Sequence, residues 1–272
     1  TSDTTLKQFV ALAKKYEPKR RIIWRDGIPP DYIWHILSNA SWANYKDTYI
    51  KSIGQAVKDC GVDGIEFDYE CPNTPLGRAG IVSPKEATNF TEFMALVKSF
   101  IGLDKQIGCD MGVWGVTRGS YPVMFKPWVN VSMVNAGAID YINTMSYHYP
   151  DIPGEIFPWE KDGFILTKIW GIDKDKINIG LPYFFHNGTK DELLWSDLSP
   201  LCPNIDPKAI HCAGILIISK EDNFLIGKYI KENGFRGAFP WAADYDSLKF
   251  NNTLAEWVFR GLNSSVPMTL NQ

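Results

Sequence analysis

Short apolar segments alternate with amphipathic segments along the whole chain, and this alternation constrains the fold more than any other feature. Strands are predicted at residues 21–25, 64–70, 106–112, 140–146, 176–182 and 237–241. Helices are predicted at residues 5–16, 44–59, 84–102, 222–233 and 254–262. Strand and helix alternation with right-handed crossovers produces a parallel sheet, and many repeats of the unit favour a closed barrel. We therefore predict an α/β fold, a (β/α)8 TIM-type barrel.

The sequence predicts fewer strands than a complete barrel contains. A full barrel of this type has about eight strands, and the helix predicted at residues 5–16 precedes the first strand that the sequence offers. The first two strands should therefore come before residue 1. Either the chain is a processed or truncated piece whose first strands are supplied elsewhere, for example by a second polypeptide, or the fold departs from a standard barrel. We expect a single barrel domain over residues 1–272, incomplete at its amino terminus.

Composition excludes several classes of partner. The 45% hydrophobic and 14% aromatic content is enough to bury a full core. The net charge of −3 leaves no electrostatic footprint for nucleic acid. The longest apolar stretch, residues 213–218, is too short to cross a bilayer, and no charged and apolar leader opens the chain. We expect a soluble polypeptide with no membrane span and no nucleic-acid partner.

Glycosylation sequons suggest the compartment. About two would arise by chance in a chain of this composition, and the sequence has six, at Asn39, Asn89, Asn130, Asn187, Asn251 and Asn263. This excess predicts an extracellular protein or one in the lumen of the secretory pathway.

The five cysteines fit that compartment in part. Cys202 and Cys212 bracket a segment that resembles a loop, and they could form a disulfide. Cys60 and Cys71 flank a whole predicted strand whose length would hold them apart. Cys109 lies within a predicted strand and is expected to be a buried free thiol. Residues 185–212, which contain Cys202, have the least regular pattern and are predicted to form a long loop.

Residues 63–70 read DGIEFDYE and carry the strongest chemical signal. Acids recur at every second position, at Glu66, Asp68 and Glu70, with apolar residues between them. Side chains alternate across a strand, so these acids share one face, with neighbours about 6.5 to 7 Å apart. Repulsion and burial raise the pKa of at least one of them, which keeps an acid protonated near neutral pH. The alternative is a solvated edge strand, although edge strands usually carry Lys and seldom have a fully apolar opposite face.

Other candidate residues follow the predicted strands, because a barrel places its site at the carboxyl ends of its strands. Tyr147, Tyr183 and Trp241 lie at or just past such ends, and Trp114, just after the strand at 106–112, is expected to line the groove. Asp63 is out of phase with the acidic face and is expected to fix a turn. No metal site is predicted, because the four histidines have no ligand spacing.

The motif DGIEFDYE resembles the family 18 glycoside hydrolase signature, Asp-Gly-x-Asp-x-Asp-x-Glu, of chitinases and related endo-N-acetylglucosaminidases. The segment DYINTMSYHYP resembles the sixth barrel strand of that family, with its Met-x-Tyr motif at Met145 and Tyr147. INIGLPYFF and GAFPWAADYD resemble the seventh and eighth strands, the latter with a floor tryptophan at Trp241. The resemblance covers about residues 6–262, starting before the third strand of the family barrel.

The resemblance implies a secreted hydrolase of β-1,4-linked N-acetylglucosamine in chitin or chitin-like glycans, acting without a cofactor. Glu70 would be the general acid, and Asp68 would stabilise the substrate's acetamido group, whose carbonyl oxygen attacks the anomeric carbon. Tyr147 would donate its hydroxyl to that oxygen, and Trp241 would stack beneath the sugar. Glu66 completes the catalytic set, and the remaining residues expected to bind substrate are Trp114, Tyr183 and Met145.

Three departures from the family pattern keep alternatives open. Glu66 replaces the first Asp of the signature, and its extra methylene can press its carboxyl against Asp68, which places the protonation relay in question. His148 replaces the Asp after the Met-x-Tyr motif, and Arg25 with the next three residues replaces a small Ser-x-Gly-Gly stretch. The alternatives are a chitinase-like carbohydrate-binding protein with little or no turnover and a scaffold subunit of an extracellular assembly.

Overall fold

A computed structural model describes residues 3–27, 42–68, 84–112, 127–147, 158–186, 192–247 and 253–265. The chain divides into two compact units. Unit 1 consists of Thr1–Asn143 with Leu166–Lys176, and unit 2 consists of Thr144–Ile165 with Ile177–Gln272.

Unit 1 repeats a strand and helix pattern. Its elements are, in chain order, α1 (Asp3–Tyr16), β1 (Ile23–Gly27), α2 (Trp42–Cys60), β2 (Gly64–Asp68), α3 (Pro84–Ile101), β3 (Gln106–Met111), α4 (Val131–Asn135) and β4 (Tyr141–Thr144), whose last residue belongs to unit 2. The strands lie in the order β1-β2-β3-β4, and β1 with β2 and β2 with β3 are parallel. The strands and long helices predicted for this half are confirmed, with ends shifted by a few residues. The short α4 was not predicted.

Strand β2 is an inner strand with both faces covered. It pairs with β1 on one side and with β3 on the other, so the solvated edge strand is the wrong interpretation. Ile65 and Phe67 are fully buried, and the ring of Phe67 meets Phe93 of α3 edge to face at 5.0 Å. Burying each such side chain contributes about 2 kcal/mol, and this packing directs Glu66 and Asp68 to the opposite face.

Asp63 lies directly before β2 and is held by residues distant in sequence, whereas its predicted role in a turn stays a prediction. Its Oδ2 accepts a 2.8 Å hydrogen bond from the backbone N–H of Ile22 and a 2.5 Å hydrogen bond from Nζ of Lys14. The carboxylate therefore connects α1, the residue before β1 and the start of β2.

Unit 2 contains α5 (Pro158–Phe164), β5 (Ile177–Pro182), β6 (Phe184–His186), β7 (Glu192–Leu194), α6 (Trp195–Leu198), β8 (His211–Cys212), β9 (Ile215–Leu216), α7 (Lys220–Asn233), β10 (Gly237–Trp241) and α8 (Leu254–Leu262). A π-helical turn (Ile165–Ile169) continues α5, and from Leu166 onward it belongs to unit 1. Strands β5 and β10 are parallel, from Asn178 with Gly237 to Pro182 with Trp241. Helix α7 begins with a capping box between Ser219 and Asp222 and ends at Gly234, whose φ of +70° suits glycine.

The prediction of a long loop at residues 185–212 is wrong. Strands β6 and β7 form an antiparallel pair, α6 runs into a short 3-10 helix at Ser199–Leu201, and β8 and β9 form a small hairpin. Strands of two or three residues are too short to show a period of two, and their pairing depends on contacts made in the folded chain.

The cysteine predictions that fall on described residues are confirmed. Cys202 and Cys212 form a disulfide, Cys109 is a buried free thiol, and Cys60 is buried. Burial raises the pKa of the Cys109 thiol, which favours its protonated form. Cys71 lies outside the described residues.

In the described ranges, no helix combines the length and the apolar character needed to span a membrane.

Candidate active site

An acidic cluster occupies one face of the unit 1 strands. We define it as Glu66, Asp68 and Asp110 with their partners Arg25, Tyr141 and Asn143. Paired positions on neighbouring strands project to the same side of a sheet, and Arg25 pairs with Glu66 while Asp68 pairs with Asp110. The register therefore places one cation and three acids on a common face.

The carboxylate of Glu66 is directed towards β4. Its Oε2 accepts hydrogen bonds from the Tyr141 hydroxyl at 3.0 Å and from Nδ2 of Asn143 at 2.6 Å. Gly108, which pairs with Glu66 in register, leaves room for the phenol, because a Cβ at that position would lie 2.2 Å from the Tyr141 ring. The extra methylene of Glu66 is thus accommodated by contacts with β4, rather than by the crowding of Asp68 that we expected.

Asp110 is the most buried acid of the cluster. Its Oδ1 accepts a hydrogen bond from Nδ2 of Asn143 at 3.1 Å, and its Oδ2 accepts one from Nε of Arg25 at 3.2 Å. Burial, reinforced by the negative charges of Glu66 and Asp68, raises the pKa of Asp110 to about 8. Asp110 is therefore protonated at neutral pH.

The two carboxyl oxygens of Asp68 differ in their hydrogen bonding. Its Oδ2 accepts a hydrogen bond from Nη2 of Arg25, and its Oδ1 is buried and has no hydrogen-bond partner among the described residues. Burial raises the pKa of Asp68, and the guanidinium of Arg25 partly offsets that effect. The side chain is 12% exposed and that of Arg25 is 34% exposed, so this ion pair lies between the buried acids and solvent.

The cluster can hold both a proton and a fixed negative charge. Burial also raises the pKa of Glu66, and the hydrogen bonds from Tyr141 and Asn143 oppose that rise. Asp110 is the acid that keeps its proton at neutral pH. The cluster thus combines a protonated Asp110 with an Asp68 side chain paired to a cation.

Sequence reasoning missed Asp110, Tyr141 and Asn143, and it treated Arg25 only as a departure from a family pattern. One available signal was an acid in the otherwise apolar strand QIGCDM. Another was the pair of polar side chains two positions apart at Tyr141 and Asn143, which share a face of β4.

Unit 2 contributes an aromatic cluster, which we define as Tyr147, Phe184, Phe239 and Trp241. The ring of Tyr147 lies 6.3 Å from that of Trp241 at an interplanar angle of 17°, and it meets Phe184 edge to face at 6.1 Å. Trp241 ends β10 and is half-buried. A flat indole of this kind is suited to an apolar sugar face.

The other predicted substrate-binding residues of unit 2 are more deeply buried. Tyr183 is 1% exposed and Met145 is 2% exposed. The backbone N–H of Tyr183 donates to the carbonyl of Trp241 at 3.1 Å. This bond ties the residue after β5 to the last residue of β10. Direct contact of Tyr183 or Met145 with substrate stays a prediction.

Several predicted residues lie outside the described ranges. These are Glu70, Trp114 and His148 of the candidate site, and the sequon residues Asn39, Asn187 and Asn251.

The three described sequon residues have different environments. Asn263 is exposed after α8, whereas Asn89 is half-buried on α3. The side chain of Asn130 caps α4 by accepting from the backbone N–H of Met133, and it donates to Thr88 Oγ1 at 3.0 Å. Its amide is thus already engaged. Glycosylation at all six sequons stays a prediction.

Within the part of the chain that the structure describes, no group of three or more His, Cys, Asp or Glu side chains is arranged to hold a metal ion.

Comparison with known proteins gives a consistent result. The model of family 18 glycosyl hydrolases matches residues 35–209. A chitinase from Bacteroides thetaiotaomicron superposes with a TM-score of 0.72 at 17% identity, covering 98% of this chain and 83% of that chain. No curated protein matches the chain in sequence.

Two further solved structures are similar. A plant class V chitinase mutant from Cycas revoluta, in complex with (GlcNAc)3, has a TM-score of 0.73 at 15% identity and covers 96% of this chain and 86% of that chain. A chitinase from Rhizomucor miehei has a TM-score of 0.64 at 17% identity and covers 94% of this chain and 86% of that chain. These likenesses confirm the predicted fold, a partial (β/α)8 barrel.

Proposed function

Because the chain belongs to glycosyl hydrolase family 18, we propose that it hydrolyses β-1,4-linked N-acetylglucosamine chains, in chitin or chitin-like glycans, by substrate-assisted retaining catalysis. The Asp68 carboxylate carries this proposal. One of its oxygens is bound by Arg25, and the other is a buried acceptor without a partner among the described residues. An acceptor of this kind is suited to the N–H of an acetamido group.

The mechanism begins with protonation of the glycosidic oxygen by Glu70, whose role comes from its place two residues after Asp68 in the motif. The bond from the anomeric carbon to the leaving oxygen breaks, and the acetamido carbonyl oxygen bonds to that carbon from the opposite face. Asp68 accepts the acetamido N–H and offsets the positive charge that develops. Water, deprotonated by Glu70, then opens the cyclic intermediate and restores the original anomeric configuration.

The other predicted substrate-binding residues supply binding in this proposal. Tyr147 donates its hydroxyl to the acetamido oxygen, and Trp241 stacks against the sugar, with Tyr183, Met145 and Trp114 as further binding residues. The (GlcNAc)3 held by the Cycas revoluta chitinase mutant supports N-acetylglucosamine oligomers as the ligand class.

One observation favours a second candidate, a carbohydrate-binding protein with little turnover. Arg25 neutralises Asp68, and Glu66 is committed to Tyr141 and Asn143. If Arg25 offsets the Asp68 charge in full, Asp68 cannot stabilise the positive charge that develops on the acetamido group, and the site binds that group without turning it over.

The test is release of a fluorescent aglycone from short β-1,4-N-acetylglucosamine oligomers across about pH 3 to 8. Glu70→Gln should abolish release, and Glu17→Gln, an exposed glutamate at the end of α1, should match the wild type. If neither the wild type nor Glu70→Gln releases the aglycone while both still bind the oligomers, the result would favour a carbohydrate-binding protein without turnover.

We also propose that the chain passes through the secretory pathway. Six sequons and the Cys202–Cys212 disulfide support this compartment. A mass decrease of protein from a eukaryotic host on enzymatic removal of N-glycans would support it, and an unchanged mass would argue against it. A second polypeptide that supplies further barrel strands stays a prediction.

A further inference from the structure

We infer that Arg25 is a positioning residue that holds Asp68 ionised and oriented, a task that Glu66, the first acid of the motif, does not perform in this chain. The inference deepens the proposed function and rests on it for its catalytic meaning. It concerns residues of unit 1 alone.

The geometry of Arg25 carries the inference. Arg25 pairs with Glu66 in the register of β1 and β2. Its guanidinium nevertheless contacts Asp68 and Asp110, which lie two residues further along their strands. Nη2 donates to Asp68 Oδ2, and Nε donates to Asp110 Oδ2 at 3.2 Å. A planar guanidinium presents several N–H donors in a fixed fork, so it can orient two carboxyl groups at once.

Glu66 is committed elsewhere. Tyr141 and Asn143, two residues apart on β4, both donate to its Oε2, at 3.0 and 2.6 Å. Moving this carboxylate to Asp68 would break both of these hydrogen bonds to a buried carboxylate, and hydrogen bonds to charged groups are among the strongest in a protein. Glu66 is therefore held by β4.

The charges around Asp68 agree with this geometry. Among the residues that the structure describes, the titratable groups of the same face are Arg25 on β1, Glu66 on β2, Asp110 on β3 and Tyr141 on β4. Arg25 is the neighbour that lowers the Asp68 pKa against the effect of burial. Because Asp110 stays protonated up to about pH 8, its carboxyl does not compete as an anion for the guanidinium below that pH.

The test follows the ionisation of Asp68 itself. The 13C carboxyl signals of aspartate-labelled protein are titrated by NMR, with Asp68→Asn to assign the resonance. Arg25→Met should raise the Asp68 pKa by about one pH unit, since a nearby opposite charge lowers a carboxyl pKa by about one to three. Arg25→Lys should recover part of the shift. Arg20→Met, which removes an exposed arginine outside the cluster, should leave the titration unchanged.

Glu66→Gln tests whether Glu66, rather than Arg25, sets the Asp68 pKa. This variant also tests the inference if Arg25→Met fails to fold. The Asp68 titration should stay within about 0.3 pH unit of the wild type. Equal Asp68 titrations in wild type and Arg25→Met would overturn the inference, as would a shift of about one unit in Glu66→Gln.

Turnover gives a separate readout. Since Asp68 must be ionised, the acid limb of the pH dependence of kcat/KM should move up by the same amount in Arg25→Met. A shifted Asp68 titration in a protein that hydrolyses nothing would overturn the proposed hydrolysis and leave the role of Arg25 in place.

Discussion

Tyr141 donates a 3.0 Å hydrogen bond to the buried carboxylate of Glu66, two strands away across β3. The phenol reaches this position because Gly108 has no side chain. A Cβ there would lie 2.2 Å from Cε2 and 2.3 Å from Cζ of Tyr141. The first prediction follows from that close approach.

Gly108→Ala should lower the free energy of unfolding by about 1 to 3 kcal/mol, as expected for overpacking a buried site. Urea denaturation measures the loss. In a Tyr141→Leu background the same substitution should cost much less, because the ring that it meets is gone. An equal cost in both backgrounds would show that Tyr141 is not the cause.

Asp110→Asn should change the pH dependence of stability. The unfolded pKa of Asp is about 3.9, and that of folded Asp110 is about 8. Between these values the folded state keeps a proton that the unfolded state releases, so this group makes stability fall as pH rises from about 4 to about 8, by at most about 1.4 kcal/mol per pH unit.

The decline should be shallower in Asp110→Asn, measured by urea denaturation over that range of pH. Asp104→Asn, at an exposed position next to β3, should keep the slope of the wild type. A wild-type slope in Asp110→Asn would mean that Asp110 is already ionised in the folded protein.

Asp246 caps α8 from outside the helix. Its carboxylate accepts from the backbone N–H groups of Leu254 and Ala255 at 2.8 and 2.9 Å, whereas the N-cap residue Thr253 makes no side-chain capping bond. Asp246→Ala should lower the free energy of unfolding by about 1 to 3 kcal/mol, and the exposed neighbour Asp244→Ala should lower it little. Equal losses in chemical denaturation would argue against capping by Asp246.

The Cys202–Cys212 disulfide closes a short loop, with a sequence separation of 10. Chain-entropy arguments give about 2 to 3 kcal/mol for a loop of this size, so a reductant should lower the melting temperature of the wild type. Cys202→Ser/Cys212→Ser should melt lower from the start and lose its sensitivity to reductant, whereas Cys60→Ser should retain it. An unchanged melting temperature on complete reduction would contradict the prediction.

Tyr147→Phe should lower kcat by about 100-fold, the effect of misplacing the acetamido oxygen that attacks the anomeric carbon, with little change in KM. Trp241→Ala, which removes the ring stacked on Tyr147, should mainly raise KM. Steady-state kinetics on chromogenic N-acetylglucosamine oligomers measures both, with the exposed Tyr16→Phe as control. An unaltered kcat in Tyr147→Phe would remove that hydroxyl from the mechanism.

The local pattern of residues was sufficient to predict the main strands and helices, because a period of two or of 3.6 records which face of an element is buried. It was also sufficient to predict that Glu66 and Asp68 share one face of β2, because they alternate with the buried Ile65 and Phe67. The two-residue strands β8 and β9 and the short helix α5 were missed, because they are too short to show a period.

The partners of the acids were decided by tertiary structure. Asp110 lies 85 residues from Arg25, and Tyr141 lies 75 residues from Glu66. Only the register between neighbouring strands brings these side chains to one face, and register depends on how strands pair in the folded chain. The alternating sequence thus determined that acids would share a face, whereas strand pairing decided which acid holds a proton and which is held by Arg25.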